Sequence, residues 1–169
     1  MKEYKKRERL RSLLALCFST TYETYHHWKI FADGIGGVRI EFDFDWLVDD
    51  LSKYRTVDFK KVDYLQIKEL RQLPPDTAEL PFLKRYPYSD EKEFRIIYRS
   101  RVKDVSFKHI NISRKSIKAV TLSPWCPEEV FKSVRAIIRC VPGCKSLKVT
   151  KSTLIDNAIW KRAADSDEE

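Results

Sequence analysis

The alternation of apolar and polar residues predicts two half-buried β-strands. Residues 38–42 alternate strictly, and residues 56–65 alternate less regularly toward their end. A period of two places every second side chain on the same face of a strand, which leaves one face for a core. Residues 13–18 instead form a continuous apolar run that ends at Ser19, which predicts a buried strand. The remaining predicted strands are residues 94–98, 105–112, 117–122 and 147–149.

The clearest predicted helix begins at Pro127 and ends before Pro142. Its apolar residues recur at steps of three or four, and Glu128 and Glu129 stand near its start, where the helix dipole favours acidic residues. Proline suits the first turn of a helix, and a proline–glycine pair suits its end. The other predicted helices are residues 3–12, a helix capped by Ser19, Thr20 or Thr21 that runs to Phe31, a short helix after Asp43 or Asp45, residues 76–86, and a terminal helix from Ser152 to Trp160.

These elements alternate irregularly along a chain of 169 residues, without an internal repeat or a low-complexity linker. A chain of this length fits one domain, and irregular alternation favours an α+β fold over a regular doubly wound sheet. We therefore predict a single α+β domain at residues 13–160, with a mixed, largely antiparallel sheet and flanking helices. A basic helix at residues 1–12 is predicted to precede this domain, and an acidic mobile tail at residues 161–169 to follow it.

The formal charge of +8 indicates polyanionic partners, because basic residues are concentrated within residues 2–11 and 99–108. Nucleic acid or a nucleotide is the expected partner, and a solvated basic face is the alternative. No apolar run approaches the roughly 20 residues that span a bilayer, and the run at residues 13–18 is too short for a signal peptide. We therefore expect a cytoplasmic protein without a membrane partner.

The four cysteines lack the spacing of a metal site. No Cys-x-x-Cys pair occurs, and the three histidines do not complete a ligand set with them. Cys140 and Cys144 flank Pro142-Gly143, which leaves a redox or metal role open. Because free cysteine mostly behaves as a small buried hydrophobe, we expect free thiols in a reducing compartment and no metal ion.

The segment Glu91-x-Glu93-x-Arg95 is the main candidate for chemistry. Residues two apart in an extended backbone point the same way, so both carboxylates and the guanidinium are expected on one face. The guanidinium would lower the pKa of both carboxyl groups and keep them ionised. Such a face could bind a ribose hydroxyl pair, stabilise a cationic sugar transition state or hold a metal ion. Taken alone, the pattern is more often an exposed charge ladder on an edge strand.

Two further motifs supply polar and aromatic groups. Residues 19–21 end a predicted strand with hydroxyl groups, although a helix cap explains such residues when they stand alone. His27 and Trp28, with Tyr22 as a third candidate, could bind a ligand by stacking a base or a nicotinamide. A core tryptophan beside a surface histidine is the more common arrangement.

A set of segments in fixed order resembles a known family. The segments are Ala15-Leu16-Cys17-Phe18-Ser19, Trp28, Gly37-Val38-Arg39-Ile40-Glu41-Phe42-Asp43, Glu91-Lys92-Glu93-Phe94-Arg95-Ile96-Ile97, the stretch from Ile117 to Pro124, and Lys148-Val149-x-Lys151-Ser152-Thr153-Leu154. Together they resemble the bacterial and phage family called domain of unknown function 2971, over about residues 13–160. The resemblance implies an uncharacterised prokaryotic or phage protein. The family's N-terminal Tyr-rich segment is not matched, and Lys29-Ile30-Phe31 replaces its His-Tyr, which implies a shortened or degenerate member.

A looser similarity links the chain to one branch of the ADP-ribosyltransferases. Residues 19–21 and Glu91-x-Glu93 look like the second and third elements of that branch. Its first element, an arginine on an opening strand, has only Arg9 and Arg11 as candidates. The similarity implies NAD as the cofactor, with these catalytic roles: Glu93 as the central carboxylate, Glu91 assisting, Arg95 orienting and Ser19 bracing the NAD site.

The sequence leaves open whether the protein is an enzyme. NAD-dependent transfer is one hypothesis. The alternatives are a basic nucleic-acid-binding module and a catalytically inactive interaction module. Binding through phosphates weakens steeply as salt rises, so salt dependence separates the nucleic-acid module from the others.

Overall fold

The computed structural model describes residues 2–32 and 34–165, which form an α+β fold as predicted. The strands are β1 (Ser12–Ser19), β2 (Val38–Phe42), β3 (Val57–Lys61), β4 (Asp63–Leu65), β5 (Leu83–Arg85), β6 (Glu93–Ser100), β7 (Ile117–Leu122) and β8 (Lys148–Lys151). The helices are α1 (Lys2–Arg7), α2 (Tyr25–Phe31), α3 (Phe44–Ser52), α4 (Ile67–Gln72), α5 (Glu128–Cys140) and α6 (Ala158–Asp165). Short 3₁₀ segments are Gly34–Gly36, Thr77–Phe82, Tyr86–Glu91 and Arg114–Ser116.

The described residues group into two compact units. The first unit takes residues 2–22 and 48–112, and the second takes residues 23–32, 34–47 and 113–165. Each unit contains a three-stranded sheet of its own. Across this described part of the chain, none of the helices has both the length and the apolar character needed to cross a membrane.

The sheet of the first unit has β6 at its centre, with β1 and β3 paired antiparallel on either side. Four apolar residues of β6 are buried: Phe94, Ile96, Ile97 and Tyr98. A strand that is covered on both faces carries consecutive rather than alternating apolar residues, as β6 does. A short parallel pair, β4 with β5, also belongs to this unit.

The apolar run at residues 13–18 forms β1, but β1 lies at the edge of its sheet. Among the strands of the described residues, β1 pairs only with β6. Residues 15–17 are exposed, and Leu16 keeps 59 % of its surface accessible. The prediction of a buried strand here was therefore wrong on burial and right on conformation, because the place of a strand within its sheet decides what covers it.

The sheet of the second unit has β7 at its centre, antiparallel to β2 and parallel to β8. Its buried apolar cluster consists of Leu122, Cys126, Leu147 and Val149. Phe131, Val134 and Ile138 of α5 pack against this cluster. They recur at steps of three and four, which places them on one helix face. The predicted helix and β7 are thus confirmed. β2 is confirmed as a strand, but the predicted burial of its apolar face was wrong, because Val38 and Ile40 are each 49 % exposed.

Helix starts depend on the capping side chain, and two of the predicted starts were wrong. Thr24, not residues 19–21, caps α2: its hydroxyl accepts a hydrogen bond from His27 N at 3.1 Å. Asn157, not Ser152, caps α6, since Asn157 Oδ1 accepts from Ile159 N and Trp160 N at 3.0 Å each. These caps satisfy backbone N–H groups that the first helical turn leaves unpaired.

Helix ends and two further elements also differ from prediction. The N-terminal helix ends at Arg7, and the terminal helix continues past Trp160 to Asp165. The rest of the predicted tail, residues 166–169, lies outside the described residues. Residues 105–112 form no strand, and residues 76–86 form a 3₁₀ segment followed by β5 rather than one α-helix. Pro81 accounts for the latter, because proline lacks the N–H that an α-helix needs.

Gly37 allows a close approach of two backbone segments in the second unit. A Cβ at this position would lie 2.7 Å from Ala32 Cβ and closer still to Ala32 O. We expect Gly37→Ala to lower the free energy of unfolding by about 1–3 kcal/mol, the usual cost of overpacking. Thermal unfolding followed by circular dichroism measures the effect.

Gly36→Ala is the matched control for this substitution. Nothing lies within 4 Å of a Cβ built at Gly36. We therefore expect Gly36→Ala to retain the melting temperature of the wild type. Equal melting temperatures for the two variants would contradict the close approach of Gly37 to Ala32.

Candidate functional site

The pairing of β1 with β6 brings together four residues that the sequence singled out. In the register of the two strands, Ser19 lies opposite Glu93 and Cys17 lies opposite Arg95. Ser19 Oγ also donates a hydrogen bond to the backbone oxygen of Glu91 at 2.9 Å. Ser19, Glu91, Glu93 and Arg95 therefore form one local cluster in the first unit.

Glu93 and Arg95 form a buried, bidentate ion pair. Arg95 Nε donates to Glu93 Oε1 at 3.1 Å, and Arg95 Nη2 donates to Glu93 Oε2 at 2.8 Å. The side chains are only 5 % and 12 % exposed. Arg95 Nη1 donates to the backbone oxygen of Pro81. Both carboxylate oxygens of Glu93 thus accept hydrogen bonds from Arg95, and the guanidinium also donates to the backbone.

Glu91 joins this cluster through a lysine rather than through the strand. Lys84 Nζ lies 2.5 Å from Glu91 Oε2 and 3.6 Å from Glu93 Oε2. Glu91 ends a 3₁₀ segment, and Lys92 between the two acids has a left-handed backbone with φ of 46°. The extended backbone expected for Glu91-x-Glu93 is therefore absent. The two carboxylates share a cation and do not share a strand face.

Opposing effects set the pKa values in this cluster. Burial by itself would raise the pKa of Glu93, but hydrogen bonds from Arg95 and Cys17 and the charges of Arg95 and Lys84 outweigh burial, so this pKa lies below its ordinary value. Cys17 as a residue is exposed, but partial burial of its thiol raises the thiol pKa, and the hydrogen bond to Glu93 raises that pKa further. The carboxylate thus stays charged and the thiol stays protonated, which makes Cys17 a poor nucleophile.

The cluster has the character of a structural ion pair. A carboxylate that stabilises a cationic sugar needs an oxygen facing the ligand, whereas both oxygens of Glu93 are bound to Arg95. Glu93 N also donates to Tyr64 Oη at 2.8 Å, which fixes the start of β6. Within residues 2–32 and 34–165, no group of three or more His, Cys, Asp or Glu side chains could hold a metal ion.

The three predicted ligand-binding residues are divided between the two units. Tyr22 belongs to the first unit and is almost fully exposed, whereas His27 and Trp28 belong to the second unit. Trp28 is buried, and its Nε1 donates to Glu23 Oε2 at 2.7 Å, so its ring offers no surface for stacking. His27 packs at a tilt against Phe31, with ring centroids 6.2 Å apart.

A basic N-terminal segment, residues 2–11, forms a second candidate site in the first unit. Its exposed basic side chains are Lys2, Lys6, Arg7, Arg9 and Arg11. None of these five has an ion-pair partner among the described residues. Tyr4 anchors the segment: it is buried, and its hydroxyl accepts from Arg99 Nη1 at 2.9 Å.

A cavity of about 320 Å³ in the first unit adjoins this segment. Its lining residues are Glu8, Leu10, Arg55, Thr56, Asp58, Arg99 and Arg101. None of the four clustered residues named from the sequence lines it. The sequence drew attention to Arg99 and Arg101 as part of a basic group, but no signal pointed to Arg55, which stands just before β3.

The network residues Lys84 and Tyr64 were also missed. Lys84 lies on β5 and Tyr64 on β4, and each reaches the cluster only through tertiary contacts. No spacing in the sequence relates them to Glu91 or Glu93. Their chemistry, a cation and a phenol, is common on surfaces and gives no signal by itself.

Comparison with known proteins identifies no relative. No family model matches the chain, and neither a curated protein nor a solved structure is found to match it. The resemblance to domain of unknown function 2971 therefore stays a prediction. The functional proposal therefore depends on the contacts and charges of the chain itself.

Proposed function

We propose that this protein is a binding module for nucleic acid, which it contacts through the basic N-terminal segment of its first unit. The observation that carries this proposal is the display of five exposed basic side chains that have no ion-pair partner among the described residues, on a segment anchored by Tyr4. Exposed cations without acidic partners are available to phosphate groups.

Charge is distributed unevenly between the two units, in support of this proposal. Residues 1–22 and 48–112 hold 20 Lys and Arg against 13 Asp and Glu, hence +7 of the total formal charge of +8. The remaining residues are close to neutral. A field of one sign on one unit attracts a polyanion and speeds its association.

NAD-dependent transfer is the second candidate function. The adjacency of Ser19 and Glu93 favours it, since that branch of transferases needs a serine and a glutamate close together. The bidentate pairing and burial of Glu93 oppose it, because a ribose cation would have to displace Arg95. An interaction module without catalysis is compatible with the same geometry.

The salt dependence of binding tests the nucleic-acid proposal. The assay is fluorescence anisotropy with a labelled 20-nucleotide single strand and the matching duplex, from 50 to 200 mM salt. If the five exposed cations each contact a phosphate, a plot of the logarithm of the affinity against the logarithm of the salt concentration has a slope of roughly −4.5 for the duplex and roughly −3.5 for the single strand. Affinity that is unchanged across this range would rule out phosphate-driven binding.

A five-residue charge variant localises the interaction. This variant replaces five residues with Gln: Lys2, Lys6, Arg7, Arg9 and Arg11. We expect it to reduce the salt slope by about one for each phosphate that is no longer neutralised. We also expect its binding at 50 mM salt to be at least about 100-fold weaker. All five side chains are exposed and form no ion pair with any residue that the structure describes, so circular dichroism should show an unchanged fold.

The matched control removes the same charge elsewhere in the first unit. It replaces Lys61, Lys68, Arg71, Arg85 and Lys92 with Gln. These five are also exposed and have no ion pair among the described residues. The proposal predicts a much smaller loss of affinity for the control, and equal losses in the two variants would show that net charge alone, not the N-terminal segment, drives binding.

A rise in melting temperature with millimolar NAD would instead favour the transferase hypothesis.

A further inference from the structure

The cavity of the first unit is lined by three arginines that lie at the adjoining ends of two paired strands. Arg55 stands two residues before β3, Arg99 lies on β6, and Arg101 follows the end of β6. β3 and β6 are antiparallel, with Val57 opposite Tyr98, so the start of one meets the end of the other. A hydrogen bond from Arg99 N to Thr56 O at 3.2 Å continues the pairing to this point.

Two of these guanidinium groups are held in place by acidic partners. Arg99 Nη2 lies 2.5 Å from Asp58 Oδ2, while its Nη1 donates to Tyr4 Oη. Arg101 Nη2 lies 3.0 Å from Glu8 Oε2, and its Nε donates to Glu8 O at 3.2 Å. A guanidinium has five N–H donors, so these bonds orient each group and leave further donors for a ligand.

Arg55 differs from the other two arginines in the cavity. Its side chain is exposed, and no ion pair is found for it among the described residues. With three arginines against Glu8 and Asp58, the lining keeps one net positive charge. Arg9 and Arg11 flank the lining residue Leu10 in the chain and add to the positive potential.

We infer that this cavity binds a phosphomonoester, with Arg55 as the principal contact and Arg99 and Arg101 as oriented supporting donors. Arginine matches the geometry of phosphate through paired N–H groups. A volume of about 320 Å³ exceeds the needs of a phosphate group alone and leaves room for an attached sugar. Asp58 and Glu8 could then accept hydrogen bonds from sugar hydroxyls.

This inference rests on the proposed function and deepens it by naming the phosphorylated end of a nucleic-acid strand as the ligand. A nucleic-acid strand bound along the basic N-terminal segment would place its 5′-phosphate in the cavity. The phosphomonoester could also come from a free nucleotide. The two sources share their chemistry, so the experiment has to separate them.

The test compares ligands that differ only in the phosphate. The probes are one 10-nucleotide strand with a 5′-phosphate or a 5′-hydroxyl, together with AMP, adenosine and inorganic phosphate. We expect the phosphorylated strand to bind at least about tenfold more tightly than its 5′-hydroxyl form, as one or two charge-assisted hydrogen bonds provide. AMP, but not adenosine, is expected to raise the melting temperature.

Arg55→Gln is the decisive variant. The Arg55 side chain is exposed and has no ion pair within residues 2–32 and 34–165, so it can be replaced without unfolding the protein. We expect this variant to abolish the preference for the 5′-phosphate and to leave most of the salt-dependent binding. Arg85→Gln is the control and is expected to keep the preference, because it removes another exposed arginine without an ion pair in the described part of the chain.

The outcomes separate this inference from the proposed function. Equal affinity for the two strands, with salt-dependent binding intact, would overturn the phosphomonoester site and leave nucleic-acid binding standing. Binding of AMP that needs Arg55, without binding of either strand, would support the site with a free nucleotide as its source and overturn the proposed function. Absence of any response to AMP, inorganic phosphate or the 5′-phosphate would overturn the site.

Discussion

Glu93→Ala is expected to lower the free energy of unfolding by about 3–5 kcal/mol, the cost of breaking a buried ion pair by removing one partner. The substitution leaves the guanidinium of Arg95 with only 12 % of its side chain exposed and without its bidentate partner. The hydrogen bond from that guanidinium to the backbone of Pro81 remains, but it does not neutralise the charge. Urea unfolding followed by fluorescence measures the loss of stability.

Glu91→Ala is the control for this first prediction. Glu91 is 25 % exposed and is paired with Lys84, which is 27 % exposed and also lies 3.6 Å from Glu93. We expect a loss of at most about 1 kcal/mol, as for partly exposed ion pairs in general. Similar losses for the two alanine variants would contradict the structural role assigned to Glu93.

The pH dependence of stability provides an independent readout of the same ion pair. The pKa of Glu93 is lower in the folded protein, so the unfolded chain binds its proton more readily. The stabilisation is complete above the ordinary Glu pKa of about 4.3 and is lost as pH falls through the lowered folded-state pKa. Glu93→Gln lacks this contribution, so the stability difference between wild type and variant is expected to narrow on acidification.

Ile97→Ala is expected to destabilise the protein by about 2–5 kcal/mol, the range for large-to-small substitutions in a core. Ile97 is fully buried on the central strand β6, opposite Ala15 of β1 and Asp58 of β3. Removing three carbon atoms leaves a cavity that the strands on both sides cannot readily fill. Urea unfolding gives the magnitude, and an unchanged slope with urea would indicate an unchanged extent of unfolding.

Leu16→Ala removes a similar volume from the neighbouring strand and serves as the control. Leu16 pairs in register with Ile96 but is 59 % exposed. We expect a change within about 0.5 kcal/mol, as for surface substitutions. A destabilisation comparable to that of Ile97→Ala would show that β1 is covered, as the apolar run in the sequence predicts.

Local sequence patterns predicted much of the secondary structure. Alternation at residues 38–42 and the apolar pattern at residues 117–122 match β2 and β7, and the helical period after Pro127 matches α5. These patterns involve only side chains that are close together in the sequence, so they predict secondary structure without information about distant contacts. Residues 105–112 were assigned to a strand because they contain apolar residues, but no partner strand pairs with them among the described residues.

The candidate site was only partly predictable. The sequence singled out Glu91, Glu93, Arg95 and Ser19, and the pairing of β1 with β6 does bring them together. The expectation that both acids share a strand face was wrong, because Lys92 takes a left-handed backbone. Arg55 and Lys84 carried no local signal. Arg55 comes close to Arg99 and Arg101 only through the pairing of β3 with β6. Lys84 lies on β5 whereas Glu91, seven residues later, ends a 3₁₀ segment, so no single strand or helix relates the two.

The sequence therefore determined the fold class, the central strands, the main helix and the concentration of basic residues near the N-terminus, because each follows from local periodicity or composition. Only the tertiary structure decided that β1 lies at the edge of its sheet and that both carboxylate oxygens of Glu93 are bound by Arg95. It also decided that three arginines at the adjoining ends of β3 and β6 line one cavity. The physical reason is that burial and pairing depend on which segments meet across the sheet, and the chemistry of one residue does not specify its partner.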